Sequence, residues 1–171
     1  MGKVAGIYCL FVGVAGILWQ WILSQREKQI RLDEVLVFLQ KSIFAFDTEK
    51  VRLIAHFSNY RSVDVVLEDS LQEIASRLSQ NRYPKGIVVW EEVLREKEQC
   101  WNFDKETFGL ILQAGNGFFG HSCEENICFL RTTVKALEIQ KEKIKQKDTQ
   151  ERKVWIPVSI LTGMMLIILL I

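Results

Sequence analysis

Two uncharged, strongly apolar stretches bracket the chain: residues 4–23 (VAGIYCLFVGVAGILWQWIL) and residues 154–171 (VWIPVSILTGMMLIILLI). A helix rises about 1.5 Å per residue, so either stretch is long enough for a hydrocarbon core of roughly 30 Å. Between them apolar positions recur at helical spacing, and no convincing alternating run appears. The pattern predicts an all-α protein, a membrane-anchored helical bundle over residues 24–153 with one transmembrane helix at each end.

Within the middle, Leu32, Leu36, Leu39, Ile43 and Phe46 share one face, so the first helix is expected to continue to about residue 46. Asp47 and Thr48 suit the N-cap of a second helix carrying Val51, Ile54, Ala55 and Phe57 inward. A third, over residues 63–78, places Leu67, Leu71, Ile74, Ala75 and Leu78 on one stripe. Residues 79–86 (SQNRYPKG) read as the clearest linker. Ile87, Trp90, Val93 and Leu94 belong to a fourth helix; residues 87–90 alone would pass for a strand, and the charges around Val93 and Leu94 decide for a helix. Asp104 or Thr107 caps a fifth with Phe108, Ile111 and Leu112, and the run 115–120 (GNGFFG) is expected to end it, because Gly and Asn accept positive φ. The last helix starts near Cys123, carries Ile127, Leu130, Val134 and Leu137 at heptad spacing, and continues into the final apolar stretch. Lys141 and Ile144 occupy the next two seam positions, where the heptad fades.

Charge then sets an expected topology. Of 22 Lys+Arg and 21 Asp+Glu, 21 basic and all 21 acidic residues lie in residues 24–153. The net charge of +1 gives no electrostatic case for nucleic acid, and 171 residues suit one domain. Arg26, Lys28 and Arg31 follow the first stretch, while Lys141, Lys143, Lys145, Lys147, Arg152 and Lys153 precede the second. Lys and Arg are retained on the cytoplasmic side, which implies a two-span protein of the cell membrane with a cytoplasmic middle domain. Trp19, Trp21, Arg26, Lys28, Lys147, Arg152 and Lys153 would then lie at the interface against membrane lipids. A cleaved signal is disfavoured, since the apolar run is too long and no small-x-small site follows it. Cys9 falls in the first stretch and Cys100, Cys123 and Cys128 in the middle, an odd set that reads as reduced thiols.

Candidate chemistry is sparse. His121-x-Cys123 with Cys128 lacks the paired spacing and fourth ligand of a zinc site, and reads as a helix start with small thiols. His56 lies beside an apolar face and reads as a packed side chain. Gly115-Asn116-Gly117 lacks the Lys-Ser/Thr ending of a phosphate loop. The terminal stretches hold no ionisable residue, which disfavours a self-contained channel or carrier. No catalytic, metal or cofactor-binding residue is assigned. Residues 64–106 hold ten Asp/Glu against six Lys/Arg, either a solvated face or a docking face for a basic partner. Trp90 is either a core anchor or an interface anchor. The candidate docking set is Asp64, Glu68, Glu73, Trp90, Glu91 and Glu92.

The layout resembles the stage III sporulation protein AB family of endospore-forming bacteria. The closing segment carries most of the likeness: Gly120-His121-Ser122, Arg131, Leu137, Glu138, Gly163 and residues 167–171 (IILLI). Trp90-Glu91-Glu92-Val93-Leu94 resembles the family's tryptophan-bearing helix, and Thr48 after Ile43 stands where the family has a Thr-Pro-Leu start. Gly2-x-x-x-Gly6 and Arg31 before Leu32 fit more loosely. Glu49-Lys50 depart from that Pro-Leu, Cys123 from an aspartate and Ile127 from a nearby glutamine, and Asn116-Gly117-Phe118-Phe119 is an atypical glycine turn. The resemblance implies a non-enzymatic membrane platform subunit of the mother cell–forespore channel, a secretion-like complex required for sporulation, with a soluble domain similar to type II secretion F domains. It implies as partners a secretion-type sporulation ATPase and the other membrane subunits of that channel. The residues alone leave a second reading open, a membrane-anchored coiled-coil scaffold that self-associates through the heptad run 127–137.

Overall fold

The computed structural model describes residues 2–46, 52–80, 85–120 and 122–170. Among them the elements are all helical: α1 (Gly2–Phe44), α2 (Leu53–Asn59), α3 (Val65–Ser79), α4 (Gly86–Glu96), α5 (Glu98–Trp101), α6 (Lys105–Phe119) and α7 (Cys123–Leu170). The expected caps Asp47 and Thr48, Val51, the centre of the linker (residues 81–84) and His121 lie outside the described residues. So do the side chains of Cys9, Trp19, Trp21, Cys123 and Arg152.

The chain divides into two compact units, one of Met1–Glu27 with Glu142–Ile171 and the other of Lys28–Lys141. In the first, α7 runs through Pro157 and leaves Trp155, Leu161 and Met165 exposed. Among the described residues no helix is long and apolar enough to cross a membrane. That corrects the expectation of a transmembrane helix at each end, and with it the two-span membrane localisation. Each apolar stretch is one end of a helix of 43 or 48 residues that continues into charged turns such as Arg26–Glu27–Lys28 or Lys141–Glu142–Lys143, as the spacing predicts.

The second unit is an aromatic-centred bundle. Phe38 of α1 meets Phe57 of α2, Phe118 of α6 and Tyr60 at ring-centroid distances of 5.8, 5.7 and 4.9 Å. Trp90 of α4 closes the cluster, 6.0 Å from Phe57 and 5.2 Å from Phe118. Around it Leu32, Leu39, Leu71, Ile74, Val93, Leu94, Leu130 and Leu137 are almost fully buried. The apolar stripes of α3, α4 and α7 therefore face inward as their spacing requires. On α2 only Phe57 does so; Ile54 and Ala55, expected inward, are exposed. Burial raises the Tyr60 phenol to about 12, helped by the nearby Glu34 carboxylate.

The run 115–120 ends its helix only at Gly120, and with no positive φ. α6 continues to Phe119, and Gly115 and Gly117 are buried inside it. A Cβ on Gly115 would stand 2.6 Å from Trp90 Cδ1, and one on Gly117 2.6 Å from Leu130 Cγ. These glycines serve close helix packing, which outweighs their weak helix propensity. The left-handed turn falls instead on Asn102 (φ 52°), which closes the short α5 after Trp101.

Candidate docking surface

α3 begins where a single aspartate does two things. Asp64 accepts the Leu67 amide at 2.9 Å as its N-cap, and its other oxygen takes Arg31 Nε at 2.9 Å. Arg31 Nη1 donates to the carbonyl oxygens of Cys100 and Trp101, 2.8 Å each. The guanidinium is 13% exposed and ties α1 to the start of α3 and the end of α5. Its fork geometry suits this use, since three acceptors lie around one planar group. Glu68 accepts from the Ser62 amide at 3.2 Å and pairs with Arg61 at 3.4 Å.

Further along, α3 and α4 are joined by a charge network. Arg77 meets Glu73 of its own helix and Glu96 of α4, the latter at 2.6 Å, while Glu92 Oε2 lies 3.9 Å away. Lys97 pairs with Glu73 at 2.7 Å and with Asp69. Four carboxylates thus share two cations, and Asp69 remains 67% exposed. The hydrogen bond from Lys97 holds the Glu73 carboxyl below its usual value, with Arg77 adding to it against the cost of burial. Hydrogen bonding to Glu96 and Glu73 raises Arg77. Lys97 is raised as well, because its bonds to Asp69 and Glu73 outweigh its desolvation.

The candidate docking residues therefore separate. Asp64 is tied into the α1–α3 junction, Glu68 is held by Arg61 and Ser62 of the α2–α3 connection, and Glu73 and Glu92 belong to the α3–α4 network. Trp90 is 3% exposed and donates its indole N–H to the Ile111 carbonyl at 3.2 Å, so it anchors α4 from within. Glu91 is exposed and makes no ion pair among the described residues. Sequence reading missed Asp69, Glu96 and Lys97, and it missed the role of Arg31; only the spacing Glu73–Arg77 signalled a pair, at i, i+4. Arg26, Lys147 and Lys153 are exposed and Lys28 is half-buried. Their expected place at the headgroups rested on the two spans.

Chemistry elsewhere is confined. Ser42 Oγ lies 2.9 Å from His56 Nε2, the spacing of a nucleophile and its base. Ser42 is fully buried, however, and its proton goes to the Phe38 carbonyl at 2.8 Å, leaving its oxygen to accept from the imidazole. No group of three or more metal-ligating side chains occurs among the described residues. Cys100 and Cys128 are exposed free thiols.

The family model for stage III sporulation protein AB matches residues 3–171, and the chain belongs to that family. A solved structure of a stage III sporulation protein AB is similar with a TM-score of 0.64 and 12% identity, covering 72% of this chain and 98% of that one. At that identity the likeness shows the shared fold. No match was found among curated proteins. Proteins of the family are non-enzymatic structural components, and the chain is not an enzyme.

Proposed function

We propose that this member of the stage III sporulation protein AB family is a docking subunit of the mother cell–forespore channel, and that its α3–α4 face captures a secretion-type ATPase. The observation that carries the reading is the excess of carboxylate on this face: Asp69, Glu73, Glu92 and Glu96 outnumber Arg77 and Lys97, and Glu91, next to Glu92 in the chain, is exposed and has no ion pair among the described residues. A partner with a basic surface gains from that excess in rate of encounter and in orientation. The bundle behind it is rigid, because Trp90 and Val93 seat α4 in the core.

The test is capture of the ATPase by the full chain carrying Glu91→Lys with Asp69→Lys. Both side chains are exposed, so folding should survive, and a thermal melt checks that it does. Capture should fall about tenfold or more, as expected for reversing two surface charges against a basic partner. Capture at the wild-type level by a folded variant overturns the placement. Concentration-dependent self-association without ATPase capture would favour the scaffold reading instead.

A further inference from the structure

A groove of about 860 Å³ opens between α2, the end of α3, the start of α4 and the end of α6. Its wall includes Ile54, Ala55, Leu78 and Phe119. Ile54 and Ala55 are the α2 positions whose spacing predicts burial, yet they face this opening; Ile54 is 42% exposed. Its volume lies within the range of sites that enclose a ligand, and an apolar groove of this kind can take the apolar face of an amphipathic helix.

The charged groups at the groove are not equivalent. Arg77 contributes its stem, but its guanidinium is held by Glu73 and Glu96. Arg52 is exposed and has no ion-pair partner among the described residues. Gly86, the first residue of α4, also lines the groove; no side chain caps that helix and its first turn holds no acidic residue. An apolar wall therefore meets an unpaired guanidinium and the uncompensated positive end of a helix.

We propose that this groove seats an amphipathic helix of a partner protein, apolar on the face that meets Ile54, Leu78 and Phe119 and acidic where it meets Arg52. The chemistry is opposite in sign to that of the α3–α4 face, so the two surfaces select different partners. A bundle with both would join two components.

The probe is a fluorescein-labelled synthetic helix with Leu on one face and Glu on the rest, titrated against the full chain by anisotropy. The same peptide with Lys for Glu is the control. The acidic peptide should bind saturably and about fivefold or more tighter than the basic one, and Arg52→Glu should reverse that preference. Ala55→Trp, at an exposed helical position, should abolish binding by filling the groove while leaving the thermal melt unchanged. Glu91→Lys should leave it intact, which separates this site from the proposed ATPase face. Equal binding of both peptides, or an unchanged preference in Arg52→Glu, overturns the proposal. So does binding to phosphatidylglycerol vesicles that displaces the peptide, since that would make the groove a lipid site.

Discussion

Helix α6 supplies two glycines on which one substitution should act with opposite sign. A Cβ on Gly115 would lie 2.6 Å from Trp90 Cδ1, 3.1 Å from Cγ and 3.2 Å from Nε1. Carbon atoms rest about 3.5–4.0 Å apart, so the indole would have to retreat by roughly 1 Å. It cannot do so freely, because Phe57 and Phe118 lie against it with centroids 6.0 and 5.2 Å away. Overpacking of this kind costs about 1–3 kcal/mol. Moving the indole also threatens its hydrogen bond to the Ile111 carbonyl, about 1 kcal/mol. The better helix propensity of Ala returns about 1 kcal/mol. Gly115→Ala should therefore destabilise by about 1–3 kcal/mol. At Gly109 on the same helix a Cβ meets nothing within 4 Å, so only the propensity gain remains. Gly109→Ala should stabilise by about 0.5–1 kcal/mol. Denaturant unfolding of the full chain followed by circular dichroism reads both. If Gly115→Ala stabilises to the same degree as Gly109→Ala, close approach does not explain the buried glycines, and the aromatic centre is looser than described.

Two further outcomes follow from the charge geometry. Asp64→Ala removes an N-cap and leaves Arg31 mostly buried without its carboxylate, and should cost about 3–4 kcal/mol in the same unfolding assay; Asp64→Asn, which keeps the cap, should cost less, and equal losses would show that the cap contributes nothing and that the whole cost lies in the lost charge opposite Arg31. The Glu73 carboxyl is held below its ordinary value of 4.5 in the fold, so its contribution is fully present above that pH and is lost as pH falls through the lower folded value. The difference in thermal stability between wild type and Glu73→Gln should persist at pH 7 and close below about pH 4.5; a gap that closes already between pH 6 and 8 would contradict this sign.

The parts of the fold legible in the sequence are those set by periodicity. The stripe Leu67–Leu71–Ile74–Ala75 and the seam Leu130–Val134–Leu137 are buried because 3.6-residue spacing leaves no other face for them. Long-range packing was not legible. Gly115 and Gly117 read locally as a helix stop, and only the position of Trp90 and Leu130 across the core shows why they stay helical. Ile54 has the right spacing for burial, yet α2 has only seven residues and one inward anchor, Phe57. Arg31 carries no local signal, since its partners are 33 to 70 residues away in sequence. The continuity of each terminal stretch with a longer charged helix was legible from spacing, whereas the spans inferred from apolar length were not met by any helix among the described residues.

The same network that displays carboxylates on α3 and α4 also limits which of them a partner can use. Glu73 and Glu96 already accept from Arg77, Glu73 also takes Lys97, and a partner's cation must compete with those internal bonds. Binding through them exchanges one ion pair for another, and the net gain is small because an exposed pair contributes only about 0–1 kcal/mol. Glu91 gives up no ion pair with a described residue, and Asp69 gives up one from a side chain still 67% exposed. The networked carboxylates then act as a fixed negative field that orients the approach, while Glu91 and Asp69 make the contacts. Docking strength should accordingly fall far more for Glu91→Gln than for Glu96→Gln, although each removes one negative charge from the face. Equal losses would mean that field alone, and not contact, decides which partner is held.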